Sequence, residues 1–226
     1  MIKERHLWSG LHFLVSLKNI IFANMIKDEY QTIECLSEAL YTEKRSKFLA
    51  FAIPVGNLDE IKSYLDYYQK KYYDARHVCY AYMLGAERKE YRANDNGEPS
   101  GTAGKPILGQ INSFGLTDIL VIVIRYFGGI KLGTSGLIVA YRTAAMMALE
   151  TAEIIRKTID EEIEFVFEYP FMNDVMHVVK DMEPFIVSQS YDMDCKMRLR
   201  IRQLQMEQLR SRLEKIDTLH FLESEQ

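Results

Sequence analysis

ILVIVIRY at residues 119–126 is the stretch that decides the fold of the first half of the chain. A near-continuous run of aliphatic and β-branched residues predicts a strand that is buried on both faces, at the centre of a sheet. The run ends in Phe127-Gly128-Gly129, and apolar residues then recur at helical spacing over about residues 133–151. The strand, the glycine turn and the long helix together predict a layered α+β domain.

Upstream of this strand, the hydrophobic patterns predict two strands, a helix, a third strand and a short helix. They fall at residues 34–37, 46–55, 58–71, 77–84 and 105–114, with a charged turn at 41–47 and a polar, glycine-rich stretch at 87–104. We assign residues 25–158 to this first domain. Residues 1–24 precede a second methionine, and we predict that they are an extension outside the fold, because their apolar runs are too short to span a membrane.

Residues 159–226 have a pattern of their own. The predicted elements follow in the order strand, helix, strand, strand, helix, strand, at residues 163–167, 171–182, 185–191, 195–202, 206–215 and 220–222. That order is typical of a ferredoxin-like β-α-β-β-α-β domain. The sequence therefore predicts two α+β domains, which a chain of 226 residues can accommodate.

Composition and charge exclude several classes of protein. Hydrophobic residues make up 48% of the chain and charged residues 27%, which excludes a wholly disordered or collagen-like protein. The net charge is −4, so the chain as a whole is not a polycation. Residues 25–159 carry +1 and residues 160–226 carry −7, so we expect any contact with a polyanion in the first domain.

The cysteines indicate neither a disulfide framework nor a metal site. Cys35, Cys79 and Cys195 are widely spaced, with no CxxC pair and no cysteine–histidine spacing of the kind that binds zinc. We therefore predict no metal and no cofactor. So sparse a set of cysteines is typical of a reducing compartment and favours a cytoplasmic location.

Two glycine-rich segments carry the candidate binding site: residues 94–106 and residues 125–136. Glycine permits positive φ and close approach of backbone N–H groups, and each segment leads into a predicted helix N-terminus that favours an anion. The candidate anion- or nucleic-acid-binding residues are Ser100, Gly101, Thr102, Gly104, Lys105, Arg125, Gly128, Gly129, Lys131 and Gly133. The same glycines would also suit ordinary tight turns and helix caps, and from the residues alone both interpretations stay open.

His77, Asp95 and Glu98 are weaker candidates for an acid–base set. Neither a GxSxG elbow nor an HExxH pattern fixes their geometry, so we assign no catalytic residue. Asp95 and Glu98 lie among turn-forming residues, where aspartate commonly caps a turn through its side chain. The alternative is a hydrolase or phosphotransferase that acts on a phosphorylated substrate at the same loops.

Three long strings of the first domain resemble the IMPACT family, and in particular its bacterial YigZ-like branch. They are DARHVCYAY at residues 74–82, DNGEPSGTAGKPIL at 95–108 and IVIRYFGGIKLGTSGLIVAY at 122–141, and the resemblance extends over about residues 28–222. It implies a first domain with the fold of ribosomal protein S5 domain 2 and a second, ferredoxin-like domain, both known from proteins of translation and RNA metabolism. The family supplies no established catalytic residues.

The predicted function is therefore non-enzymatic. We expect the chain to bind RNA or a ribosome-associated factor through the glycine-rich, anion-binding surface and so to modulate translation. Eukaryotic members resemble regulators of translation initiation that act by binding proteins, so a protein–protein adaptor is a further alternative. We expect no membrane partner.

Overall fold

The computed structural model describes residues 28–191 and 194–222, which form two compact units. One unit comprises residues 29–157, and the other comprises residue 28 together with the chain from residue 158 onward. The predicted extension, residues 1–24, lies outside the described residues.

The first unit is built around a five-stranded antiparallel sheet in the order β2-β3-β6-β4-β5. Strand β6 lies in the middle of this sheet, which confirms the central position predicted from its apolar run. Strands β1 and β7 form a separate two-stranded sheet. The elements are β1 Glu29–Ile33, β2 Ser37–Glu43, β3 Ser46–Pro54, α1 Leu58–Lys71, β4 His77–Leu84, β5 Glu90–Asn94, α2 Gly104–Ser113, β6 Ile119–Tyr126, α3 Gly133–Glu150 and β7 Ile154–Thr158.

Helices cover both faces of the five-stranded sheet. Helices α2 and α3 pack on one face and α1 packs on the other, with a hydrophobic core under each layer. Successive side chains of a strand point to opposite faces, so Ile119, Val121 and Val123 of β6 enter the α2–α3 core and the residues between them enter the α1 core. This two-sided burial explains why β6 shows no alternation of apolar and polar residues.

Several predictions for the first unit were wrong. The strand predicted at residues 34–37 lies at Ser37–Glu43, and the charged turn predicted at 41–47 is reduced to Lys44 and Arg45, both with positive φ. The glycine-rich stretch at 87–104 contains an additional strand, Glu90–Asn94. Both strands lie at the edges of the sheet and are largely exposed, so neither carries the apolar run by which a buried strand is predicted.

The second unit is a four-stranded antiparallel sheet in the order β11-β8-β10-β9, with two helices packed on one face. Its elements are β8 Asp160–Phe167, α4 Met172–Met182, β9 Phe185–Tyr191, β10 Cys195–Arg202, α5 Gln203–Leu213 and β11 His220–Leu222. They follow one another in the predicted order along the chain. On the other face, acids of β8 pair with bases of β10, as in Arg198–Glu164 at 3.1 Å and Arg200–Glu162 at 2.7 Å.

No helix within residues 28–191 and 194–222 is both long enough and apolar enough to cross a membrane.

Candidate functional site

The first glycine-rich segment is folded around the carboxylate of Asp95. Asp95 Oδ1 accepts hydrogen bonds from the backbone N–H groups of Ala103 and Gly104 at 2.9 and 2.8 Å, and Oδ2 accepts one from the N–H of Gly101 at 2.8 Å. Partial burial acts to raise the pKa of Asp95, but the three N–H donors outweigh it and hold the pKa below its ordinary value. Asp95 is thus an ionised cap at the start of α2.

This arrangement corrects the mechanism expected for Gly101 and Gly104. Their N–H groups do form the anion-binding turn that the glycines predict, but the anion is the protein's own carboxylate. Gly104 has a second reason to be glycine, because a Cβ atom there would collide with the backbone of Asn94 in β5. These N–H groups are therefore committed to the fold.

Glu98, in the same segment, forms a buried ion pair with Arg125 at the end of β6. Nη1 of Arg125 donates to Glu98 Oε1 at 2.6 Å, and the hydroxyl of Tyr141 in α3 donates to the same oxygen at 2.9 Å. The side chains of Glu98 and Arg125 are only 3% and 8% exposed. This cluster ties the first glycine-rich segment to β6 and α3.

The guanidinium of Arg125 also lies near two aromatic rings. Its guanidinium carbon lies 5.6 Å from the ring centroids of both Phe48 and Phe127, which is cation–π distance. Its Nε is buried and has no hydrogen-bond partner in the part of the chain that the structure describes. The sequence predicted Arg125 as a cation for a ligand's phosphate, whereas the structure shows its charge compensated inside the protein by Glu98.

Cys79 lies next to this cluster and is chemically protected. Its Sγ donates to the carbonyl of Asp95 at 2.9 Å and lies 3.4 Å from the hydroxyl of Tyr141. Burial raises the pKa of Cys79 to about 12, and burial also raises the pKa of Tyr141. The thiol is therefore a buried, protonated hydrogen-bond donor, and a role as nucleophile is not favoured.

His77, the third candidate of the acid–base set, lies at the start of β4 and directly opposite Arg125 in β6. Its Nδ1 is 2.8 Å from the carbonyl oxygen of Asn96. The fold thus brings His77, Asp95 and Glu98 to one end of the sheet, but both carboxylates are engaged by protein donors. Within the described residues, no group of three histidine, cysteine or acidic side chains is arranged to hold a metal ion.

The second glycine-rich segment is packed tightly at one end and open at the other. A Cβ atom on Gly128 would overlap the backbone of Arg45 and Ser46, so only glycine fits there. Gly129 and Gly133 have φ angles of +87° and +73°, and a Cβ atom on either would meet no other atom within 4 Å. Lys131, between them, is exposed.

The serine and threonine residues of the two segments also differ in exposure. Ser100 is exposed, but Thr102 is buried and donates to the carbonyl of Pro99 at 2.6 Å. Thr134 and Ser135, in the first turn of α3, are exposed. Thr102 therefore stabilises its own turn, and the other three hydroxyls face solvent.

An open groove of about 550 Å³ lies between α2 and α3, and Gly101 and Lys105 of the first segment line it. Lys105 of α2 and Arg142 of α3 supply its two charges, and of the described residues that line it none is acidic. The lining residues are Gly101, Lys105, Pro106, Gly109, Gln110, Ser113, Ile138 and Arg142. Lys105 and Arg142 are both exposed, in contrast to Arg125.

Sequence reasoning did not find Arg142. It follows the buried Tyr141 in α3, where apolar and small residues indicate a core helix, and it lies one residue beyond the last family-like string. The available signal is helical periodicity, because Ile138 and Arg142 are four residues apart and therefore share one face of α3. Only the packing of α3 beside α2 shows that this face meets Lys105.

Comparisons with known proteins agree with the resemblance in the sequence. The Impact N-terminal domain family matches residues 44–149. IMPACT family member YigZ of Escherichia coli is 33% identical over 150 residues, which are 66% of this chain and 74% of that protein. IMPACT family member YvyE of Bacillus subtilis is 30% identical over 154 residues, covering 68% of this chain and 71% of that protein.

A solved structure has the same fold over most of the chain. It is a crystal structure described as that of a hypothetical protein, with a TM-score of 0.70 and 26% sequence identity. The match covers 88% of this chain and 100% of that one. Given the family match and the two bacterial relatives, the chain belongs to the IMPACT family and is a YigZ-like member of it.

Proposed function

We propose that this chain is a non-enzymatic RNA-binding protein that modulates translation in the cytoplasm, and that the groove between α2 and α3 is its RNA contact. The observation that carries the proposal is that Lys105 and Arg142 line one groove, in which none of the described lining residues is acidic. Two exposed cations that line one groove from neighbouring helices suit a phosphodiester, since neither forms an ion pair in the part of the chain that the structure describes.

The charge of the chain supports the choice of the first unit as the RNA-binding one. Residues 25–159 carry a net +1 and residues 160–226 a net −7. The bases of β10 are also partly neutralised by Glu162 and Glu164 of β8. Lys131, just before α3, is a third exposed cation of the first unit.

Membership of the IMPACT family supports the role in translation, since the family resemblance implies regulators of that process. We also infer the two folds that the resemblance implies. The sheet order β11-β8-β10-β9 with its β-α-β-β-α-β chain order supports a ferredoxin-like second domain. The first unit, a sheet covered by helices, is consistent with a relative of ribosomal protein S5 domain 2.

A salt titration of RNA binding tests the proposal. Affinity for a fluorescently labelled single-stranded RNA is measured by anisotropy over a range of salt concentrations, for the full chain and for Lys105→Ala and Arg142→Ala. Each variant is expected to bind more weakly, and the slope of log affinity against log salt should become shallower by about 0.7, the value for one lost phosphate contact on a single strand.

The control is Lys70→Ala, which removes an exposed lysine from the last turn of α1, on the opposite face of the sheet. It should leave both affinity and slope unchanged. If Lys105→Ala and Arg142→Ala also leave affinity and slope unchanged, the groove does not bind RNA and the proposal is wrong.

A further inference from the structure

Building on the proposed function, we infer that the α2–α3 groove accepts single-stranded RNA but not duplex RNA, and that Gly109 determines this by keeping one wall of the groove bare. Gly109 lies in the middle of α2 and lines the groove.

The fold itself gives no reason for glycine at position 109. A Cβ atom there would meet no other atom within 4 Å, so no close packing excludes a side chain. Among the glycines described above, Gly104 and Gly128 are required by close packing, and Gly129 and Gly133 by positive φ. Gly109 has neither constraint, although glycine is one of the least favourable residues in a helix interior.

The position of Gly109 shows which part of the groove stays open because this residue has no side chain. Lys105, Gly109 and Ser113 are spaced four residues apart and form one stripe of α2. Ile138 and Arg142 have the same spacing on α3 and line the same groove. The bare backbone at Gly109 therefore lies on the groove wall next to Lys105, where any longer side chain would project into the space between the cations.

The contribution of Gly109 is space, because its carbonyl group already has a partner. The hydroxyl of Ser113 donates to that carbonyl at 2.8 Å. The groove also offers Pro106 and Ile138 as apolar surface and the amide of Gln110 as a polar group. A ribose or a base can lie against such a wall while its phosphate is held by Lys105 or Arg142, without requiring a particular sequence.

The apolar wall of the groove favours a single strand over a duplex. In a duplex the bases are paired and stacked inside the helix, so only phosphates and riboses can contact the groove. A single strand can place a phosphate beside Lys105 or Arg142 and also lay a base against Pro106 and Ile138.

The experiment compares two variants at position 109, Gly109→Ala and Gly109→Gln, using the full chain. Both replacements favour the helix, so the melting temperature should rise or stay the same, and a loss of binding cannot be attributed to unfolding. Affinity for a labelled single-stranded RNA should fall slightly for Gly109→Ala and by about tenfold or more for Gly109→Gln. Ser63→Gln, which adds the same side chain to an exposed position of α1, should bind like the unmodified chain.

Three further results decide the inference. A hairpin duplex of matched length should bind at least about tenfold more weakly than the single strand to the unmodified chain, and equal affinity would overturn the selectivity. Unchanged binding by Gly109→Gln, with weakened binding by Lys105→Ala, would overturn the role of Gly109 and leave the proposed function standing. If a mononucleotide displaces the RNA at equal concentration, the groove is a site for a small phosphorylated ligand and the inference is wrong.

Discussion

The two glycine-rich segments of the first unit look alike in sequence and differ in what occupies them. In residues 94–106, three backbone N–H groups bind the carboxylate of Asp95, and Glu98 binds Arg125 and Tyr141. In residues 125–136, Gly128 is packed against a neighbouring turn, but the backbone beyond it is open and Lys131 is exposed.

The difference follows from the acids that each segment carries. Residues 94–106 contain Asp95 and Glu98, whereas residues 125–136 contain no acidic residue. Successive N–H donors in a turn form an anion-binding site, and in the first segment the carboxylate of Asp95 occupies it. The loop of the first segment is therefore a structural element, and the exposed cations Lys105 and Arg142 lie on α2 and α3.

The largest effect is expected from the ion pair that holds the first segment in place. Glu98→Ala leaves the guanidinium of Arg125 buried without a counter-charge and removes the acceptor of the Tyr141 hydroxyl. Breaking a buried pair in this way typically costs about 3–5 kcal/mol. The measurement is the free energy of unfolding by urea denaturation. The loss should lie at the upper end of this range, because the Arg125 guanidinium and the Tyr141 hydroxyl both lose their acceptor.

The matched control for this prediction is Glu90→Ala, an exposed glutamate of the edge strand β5, which should change stability by less than about 0.5 kcal/mol. If Glu98→Ala is as mild as Glu90→Ala, the first segment does not depend on its acids. The acidic residues would then not explain the difference between the two segments.

A smaller effect separates the two ends of the second segment. Gly128→Ala places a methyl group on the backbone of Arg45 and Ser46, and such overpacking typically costs about 1–3 kcal/mol. Gly129→Ala meets no atom but must adopt a φ near +87°, which costs about 1–2 kcal/mol for a residue with a Cβ atom. Urea denaturation of the two variants should show Gly128→Ala to be the less stable.

RNA binding by the same two variants tests whether the second segment contacts the ligand. Neither glycine lines the α2–α3 groove, so RNA affinity should be unchanged for both once each is measured below its unfolding transition. A loss of RNA affinity in Gly129→Ala alone would show that the open end of the second segment contacts the ligand directly.

The sequence was sufficient for the central elements of the fold and insufficient for the site. Strand β6 could be predicted because burial on both faces leaves an unbroken apolar run. The contact of Asp95 with Gly101 spans only six residues, and turn chemistry made that capping role foreseeable. The pairing of Glu98 with Arg125 and Tyr141 joins three parts of the chain that are distant in sequence, and no local sequence pattern predicts it.

The same limit applies to the groove and to the edge strands. Arg142 becomes a candidate only when α3 is seen to pack beside α2, because its own neighbours are those of a core helix. The turn at Lys44 and Arg45 has positive φ without glycine or asparagine, so the residues that usually predict such a turn are missing. The groove and the edge strands depend on tertiary packing, which local patterns in a single sequence do not predict.

The smallest predicted effect concerns Asp95 and depends on pH. Because the folded-state pKa of Asp95 lies below its value in the unfolded chain, near 3.9, the carboxylate stabilises the fold above that pH and ceases to do so as pH falls through the folded pKa. Asp95→Ala removes the cap of α2 and should cost about 0.5–2 kcal/mol at neutral pH.

Asp95→Asn distinguishes the charge from the geometry, because the amide oxygen still accepts from two of the three N–H groups but carries no charge. At pH 7 it should be less stable than the unmodified chain. In urea denaturations the difference in the free energy of unfolding should narrow as the pH falls below about 3.9, the pKa of the unfolded chain, and on through the lower folded-state pKa of Asp95. A gap that is constant over this range would mean that the first segment needs only a hydrogen-bond acceptor. The helix N-terminus of α2 would then exert no pull on an anion, and the first segment would differ from the second in shape alone.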